Sequence, residues 1–445
     1  MVERGIKDGK VKMKIAVVND RWNIFGIKGE GTLSHILKWS LTSLLIGVPS
    51  GLVVYLFKRS VLFLSLLQGQ YIFAYTGPIL GGLIIGLLIY RIEPGARGDG
   101  VPVYIQAVNQ NGGYVPARLS ALKYLAGIVT LGFGGSGGFV GPMALVNGGV
   151  GSFLARKLRE LTHTFALKRE ELDTATVCGV AGALGALLKT PLGGGIFAVE
   201  ILYSTSISYT KLFPAILSSG MGYIIYGLMT DFRPIFERVA FSFRPQEIPL
   251  FILTAVLSGW IGLLFITIYG KVFTLFKKIK VNDGLKPTLG GIGCGLLGLL
   301  LGIEVMGVGT DTLKRVMQPR STFTFFALFS IVLLILGKIV ATAFTIGSGG
   351  SAGFTFPSIM LGALAGDLAA TSFGVTEAGT HLALIVVGVA GSLGAILNVP
   401  IAGIVICIEI FGFSFGLPAI LGGVIGFMVG RPKVIYEYTS VTAGP

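Results

Sequence analysis

Apolar residues gather in long runs along this chain, near 36–57, 71–90, 119–133, 174–203, 212–229, 248–268, 285–303, 323–346, 355–371, 382–411 and 415–430. Several runs reach the ~20 residues that a helix needs to cross a hydrocarbon core. Others are shorter, or are interrupted by Gly and Pro. A broken helix inside a bilayer survives only where protein or a water-filled cavity satisfies the freed backbone groups. The breaks are therefore the places to look for a site. The stretch 231–247 is polar, carries Pro234 and Pro245, and parts two hydrophobic halves. It reads as an extracytoplasmic connection.

The two halves repeat. Residues 177–202 and 386–411 align without a gap at an offset of 209, with 13 of 26 positions identical. Gly179, Gly182, Gly185, Pro191 and Glu200 match Gly388, Gly391, Gly394, Pro400 and Glu409. An echo precedes each copy: GSGGFVGP at 135–142 and GSGGSAGFTFP at 347–357, each a glycine turn with G-F-x-x-P opening an apolar segment. A transporter built from two such halves usually places its site where discontinuous helices meet near mid-membrane.

Composition sharpens this picture. The 445 residues are 53% apolar and only 13% charged, and mean hydropathy is +0.82. A soluble globule, a disordered chain and a collagen-like fibre are poor fits. The 68 glycines suit a membrane bundle whose helices approach closely. In a soluble protein the net charge of +14 would suggest nucleic acid. Here it reads as cationic cytoplasmic loops, at Arg156–Arg159, Lys168–Arg169 and Lys271–Lys280. The first 35 residues have no signal-peptide pattern; Lys7, Lys10, Lys12, Lys14, Arg21 and Lys28 make them a basic cytoplasmic arm. Cys178, Cys294 and Cys407 lie in apolar stretches, and His35, His163 and His381 are isolated. No disulfide framework, metal set or cofactor is expected.

A glycine turn leading into a helix exposes backbone N–H groups and the positive end of the helix dipole. Two such ends converging would hold a small anion and still release it, as a pore requires. The plainer reading is that these glycines only permit close packing. A third turn, Arg97-Gly98-Asp99-Gly100-Val101-Pro102, follows the run 71–90. Its acid is either a helix cap or a pore residue. Glu200 and Glu409 end apolar runs, which suits snorkelling to an aqueous mouth or, alternatively, a proton path. Lys189, inside an apolar run, needs a partner, and Asp99 is one candidate.

At these motifs the chain resembles the ClC family of chloride channels and chloride/proton antiporters. The family's G-S-G-x-P resembles Gly98-Asp99-Gly100-Val101-Pro102, its G-[KR]-E-G-P resembles Gly138-Phe139-Val140-Gly141-Pro142, and its G-x-F-x-P resembles Gly353-Phe354-Thr355-Phe356-Pro357. A tyrosine near the last helix matches Tyr436. The resemblance implies an all-α polytopic membrane protein of two inverted-topology repeats with tilted, discontinuous helices. It implies a homodimer in the plasma membrane, with one pore per subunit and a cytoplasmic N-terminus. The chain then divides into an arm (1–35), repeat 1 (36–230), a connection (231–247), repeat 2 (248–438) and a tail (439–445). Only nine residues follow Tyr436, so the family's cytoplasmic nucleotide-binding module is not expected. The implied anion site comprises Asp99, Gly138, Val140, Gly141, Phe354, Thr355, Phe356 and Tyr436. Its anion rests on the Phe354 and Thr355 amides, with Tyr436 and the first-motif side chain closing the inner side.

The departures from the family pattern carry the functional expectation. The outer gating glutamate aligns with Val140 and the inner proton-relay glutamate with Ile201. Neither side chain can hold a proton, which favours passive, channel-like flow of chloride or a similar small anion. The alternatives are a proton-coupled antiporter using Asp99 or Glu200 as substitute proton sites, and a divergent member handling another anion or a cation. Asp99 stands where the family has a serine. Ionised at ~4 Å, it would repel an anion by about 4 kcal/mol at an effective dielectric near 20. It is expected either to be protonated and donate through its O–H, or to be paired with Lys189 or Arg97 and turned away. No nucleophile–base pair or nucleotide loop supports an enzyme.

Overall fold

A computed structural model describes residues 32–67, 72–161, 168, 171–234, 236, 239–319 and 324–436. The basic arm up to residue 31, His163, Arg169 and the tail 439–445 lie outside the described residues.

Sixteen α-helices among the described residues form two series of eight in matching order. The first is α1 (Thr32–Leu67), α2 (Ile72–Ile92), α3 (Val101–Asn109), α4 (Ala117–Gly132), α5 (Val140–Leu161), α6 (Leu172–Leu188), α7 (Pro191–Glu200) and α8 (Tyr209–Met229). The second is α9 (Ile248–Lys278), α10 (Lys286–Leu301), α11 (Thr310–Val316), α12 (Phe325–Gly347), α13 (Thr355–Ser372), α14 (Ala378–Leu397), α15 (Pro400–Phe411) and α16 (Gly416–Gly430). The packing repeats as well: α6 lies against α5, α7 and α8, and α14 against α13, α15 and α16. These are the inverted repeats of an all-helical membrane fold. Among the described residues, seven helices are long and apolar enough to cross a membrane.

Local sequence explains why the apolar runs 174–203 and 382–411 are each two helices. Lys189 (φ 54°) and Asn398 (φ 60°) take the left-handed conformation and end α6 and α14. Pro191 and Pro400 then open α7 and α15 at the first helical position, where a missing N–H is harmless. The basic stretches expected in loops are helix ends instead: Arg156–Arg159 continues α5, and Lys271–Lys278 continues α9. The hydrophobic pattern did not mark α5 as a run, because glycines and Asn147 interrupt its first half and Arg156, Lys157 and Arg159 its second.

α6 from Thr174 onward and α14 from Gly379 onward are buried. Both pack through glycine. A Cβ on Gly388 would collide with the Gly362 carbonyl of α13, and one on Gly179 with the Asn147 carbonyl of α5. Lipid offers no hydrophobic drive between helices, so close backbone approach supplies the attraction here. These two packed helices set the frame that holds the short helices at the centre.

Candidate functional site

The two glycine turns meet at the centre of the molecule. Gly138 N–H donates to Gly353 O and Gly353 N–H donates to Gly138 O, both at 2.8 Å. A threonine from the other repeat fastens each turn. Thr130 Oγ1 accepts from Ser351 N–H at 2.9 Å, and Thr345 Oγ1 accepts from Ser136 N–H at 3.0 Å. This reciprocity aims α5 and α13 from opposite sides of one local two-fold. It also corrects the expectation for Gly138, whose N–H is committed to the partner turn and is not available to an anion.

Beyond the bridge, Val140 opens α5 and Thr355 opens α13, with Phe354 as N-cap. Val140, Phe354 and Thr355 are buried. The first-turn amides of such helices have no intrahelical acceptor, and the Thr355 hydroxyl is buried without a hydrogen-bond partner. Aromatic rings wall the site. Tyr269 is edge-on to Phe354 at 4.8 Å, Phe265 at 5.8 Å, and Phe139 meets Phe356 at 5.5 Å.

Asp99 occupies this place. Its Oδ2 accepts from Phe354 N–H at 3.3 Å and from the Tyr436 hydroxyl at 2.9 Å. Its Oδ1 accepts from Val101 N–H at 3.0 Å, at the start of α3. The side chain is 8% exposed. A Cβ on Gly141 would strike Oδ1, so the carboxylate depends on that glycine for its room. The sequence offered two states for Asp99, a protonated donor to the anion or a group turned away by a basic partner. The structure has a third: the carboxylate accepts from the Phe354 amide and the Tyr436 hydroxyl, groups that the sequence analysis expected to face an anion. Neither expected partner reaches it. Lys189 bonds Asp231 Oδ1 at 2.8 Å, and Arg97 lies 3.4 Å from Asp283 Oδ2. The Lys189 hydrogen bond holds exposed Asp231 below the usual carboxylate range.

The residue type that sequence reasoning missed is a fully buried lysine, present once per repeat among the described residues. Gly98 (φ +62°) turns the chain so that the Ala96, Arg97 and Gly98 carbonyls converge, and Lys123 Nζ from α4 donates to all three. Gly307 (φ +55°) repeats the turn, and Lys338 Nζ from α12 donates to Val305, Met306 and Gly307. Both ammonium groups are fully buried. A buried cation is tolerated only when its hydrogen bonds are made, and three carbonyls per ammonium make them. A signal was visible: Lys123 and Lys338 stand 215 residues apart, the offset of the glycine turns 135–142 and 350–357.

Glu200 and Glu409 are crossed caps. Glu200 accepts from Ile401 N–H (3.0 Å) and Ala402 N–H (2.7 Å) at the start of α15. Glu409 accepts from Leu192 N–H (2.9 Å) and Gly193 N–H (2.7 Å) at the start of α7. Each carboxylate thus meets the positive end of the other repeat's helix. The expectation that Glu200 snorkels to a mouth is corrected: it is 7% exposed, with both oxygens engaged. Ile201, next to it, is buried and apolar.

Three comparisons bear on this arrangement. The sequence model of the voltage gated chloride channel family matches residues 81–431. An uncharacterised protein of Methanocaldococcus jannaschii is 32% identical over 418 residues, covering 92% of this chain and 97% of that protein. The voltage-gated ClC-type chloride channel ClcB of Escherichia coli O81 is 26% identical over 430 residues, covering 90% of this chain and 98% of that one. Among solved structures, a slow cyanobacterial Cl−/H+ antiporter superposes with a TM-score of 0.78 at 19% identity, covering 89% of this chain and 94% of that chain.

Proposed function

This chain belongs to the voltage-gated chloride channel family, and from that premise we propose that it passes chloride, or another small monovalent anion, passively between the N-termini of α5 and α13, with Asp99 as the gate. One observation carries the reading. The Asp99 carboxylate rests on Phe354 N–H and the Tyr436 hydroxyl, so an anion reaches those donors only when Asp99 withdraws or takes a proton. Gating is then competition for one set of donors. A protonated Asp99 swung off Phe354 leaves the amide free and removes the like charge. Val140 holds the outer approach and has nothing to titrate. Flow without proton coupling follows from this, since Ile201 is apolar and both Glu200 oxygens already serve α15. Thr355 adds its free hydroxyl to the passing anion. Two copies side by side in a cell membrane, one pathway in each, complete the reading.

A second reading stands on the same carboxylate. A group that alternates between the anion's place and a protonated state is also what exchange of an anion for a proton needs. Reversal potentials in a reconstituted bilayer separate the two. A passive pathway follows the chloride gradient and ignores an imposed pH gradient. A reversal potential displaced by the pH gradient would establish exchange, and one of opposite sign would establish a cation pathway.

A further inference from the structure

Away from the anion site, the C-terminal third of α9 borders an open groove of ≈ 550 Å³. One helical face lines it, with Gly270, Lys271, Thr274, Leu275 and Lys278 at spacings of three and four, and Lys433 closes the far side. A Cβ on Gly270 would touch nothing, so the floor is open. Among the described residues, no carboxylate pairs with Lys271, Lys278 or Lys433. Lys433 instead donates to Thr267 Oγ1 at 2.7 Å, tying the segment after α16 to α9. Three uncompensated cations beside apolar surface call for an anionic, amphiphilic occupant.

The groove also sits at the right depth. At 1.5 Å per residue α9 is about 46 Å long, roughly 16 Å more than a hydrocarbon core. Upright, the helix would leave about ten residues outside the core, fewer with tilt, and the cluster Lys271, Lys277 and Lys278 marks which end they occupy. Phe273 and Leu275 remain exposed among those lysines, as expected where a helix passes from acyl chains into headgroups. A freely diffusing anion would have no use for Leu275. We propose that this groove seats the headgroup of an anionic phospholipid, its phosphate on Lys271, Lys278 and Lys433 and its upper acyl chain along Leu275.

The groove connects to the gate. Lys433 precedes Tyr436 by three residues, and Tyr436 holds Asp99. On the other wall Tyr269, one position before Gly270, packs on Phe354. A lipid joining Lys433 to α9 steadies both supports of the Asp99 site; this regulatory half rests on the proposed function, whereas lipid binding does not.

The test uses the purified full chain. Its thermal midpoint is measured in neutral detergent with added phosphatidylglycerol, phosphatidylcholine or inorganic phosphate, and flux is measured in vesicles of either lipid. The triple variant Lys271→Gln/Lys278→Gln/Lys433→Gln is compared with Lys277→Gln/Lys280→Gln, which removes charge outside the groove. Phosphatidylglycerol should raise the midpoint of wild type and control. The triple variant should bind it about a hundredfold more weakly, as expected for three lost lysine–lipid attractions. Lys433→Gln alone should lose about fivefold. Phosphatidylcholine and phosphate should change nothing. A triple variant with the wild-type lipid response overturns the proposal. So does competition by inorganic phosphate, which makes this a soluble-anion site, or a change of oligomeric state in the triple variant with its lipid response intact, which makes the groove a contact between copies. If lipid binding is lost while flux stays equal in both vesicle types, the regulatory half alone fails.

Discussion

The loops that lead into α3 and α11 are built alike and employed differently. Each has a left-handed glycine, Gly98 or Gly307. Each gathers three carbonyls on a buried lysine, and each donates its glycine N–H to the glycine turn of the opposite repeat, Gly98 to Gly349 and Gly307 to Gly134. The next residue breaks the symmetry. It is Asp99 in repeat 1, buried against Phe354 and Tyr436, and Val308 in repeat 2, partly exposed. Lys123 therefore lies behind a carboxylate, and Lys338 does not. The scaffold is two-fold and the acid is one-sided: the two frames match, and only the first places a carboxylate, the proposed gate, against Phe354 and Tyr436.

The largest effect should come from removing that acid. Asp99→Ser leaves a neutral donor in the site, and we expect flux at neutral pH to rise at least about tenfold and its pH dependence to disappear. In wild type, flux should climb as pH falls, because protonation discharges the competitor. Val308→Asp, the same acid in the other frame, should change flux by less than about twofold. Efflux assays at two pH values measure all three proteins, and equal responses of the two loops would erase the distinction.

Next come the lysines. Lys123→Met and Lys338→Met each leave three buried carbonyls without their donor, and each should lose about 2 kcal/mol of stability. Only Lys123→Met should also alter flux, because only Lys123 sits behind the acid. Thermal unfolding beside flux shows whether the two effects separate. A smaller loss, about 1 kcal/mol, is expected for Glu200→Gln, and less for Glu409→Gln, whose carboxylate is more exposed. Neither should introduce or remove a response to a pH gradient. A change in coupling on Glu200→Gln would return that residue to the proton path.

Smallest is Lys189→Asn, which copies repeat 2 into repeat 1. Asparagine tolerates the left-handed conformation, so the helix end should survive and stability should move by no more than about 0.5 kcal/mol. What is lost is the Lys189 Nζ hydrogen bond to Asp231 Oδ1, together with those to the Asp231 and Arg233 carbonyls. A carboxylate held below its ordinary range stabilises above its unfolded pKa and ceases to as pH falls through the lowered one. The difference between variant and wild type should thus be greatest at neutral pH and shrink in acid, leaving only the part carried by the two carbonyl bonds.

Much of this was legible beforehand because duplication writes itself twice. The 209-residue register marked the paired helices α6–α7 and α14–α15, and the glycine turns marked the centre where they meet. The short helices α3 and α11 were not legible. At nine and seven residues they are too brief for a periodicity to show. The crossed caps were also hidden. Glu200 and the amides it serves are 201 and 202 residues apart, and an acid at the end of an apolar run looks the same whether it reaches water or another helix.

The sequence by itself determined the membrane-spanning helical class, the two-fold plan and the residues that could form the site. Those follow from local chemistry: run length, the refusal of proline to continue a helix, and the small volume of glycine. Only the tertiary structure decided what Asp99 does. Its place in the sequence offered a helix cap, a protonated donor or a charge pair with Arg97 or Lys189; of the groups that hold it only Val101 N–H is local, and the other two come from 255 and 337 residues away. A hydrogen bond is decided by distance and direction in space, and no pattern along a chain fixes which donors the fold brings to a given oxygen.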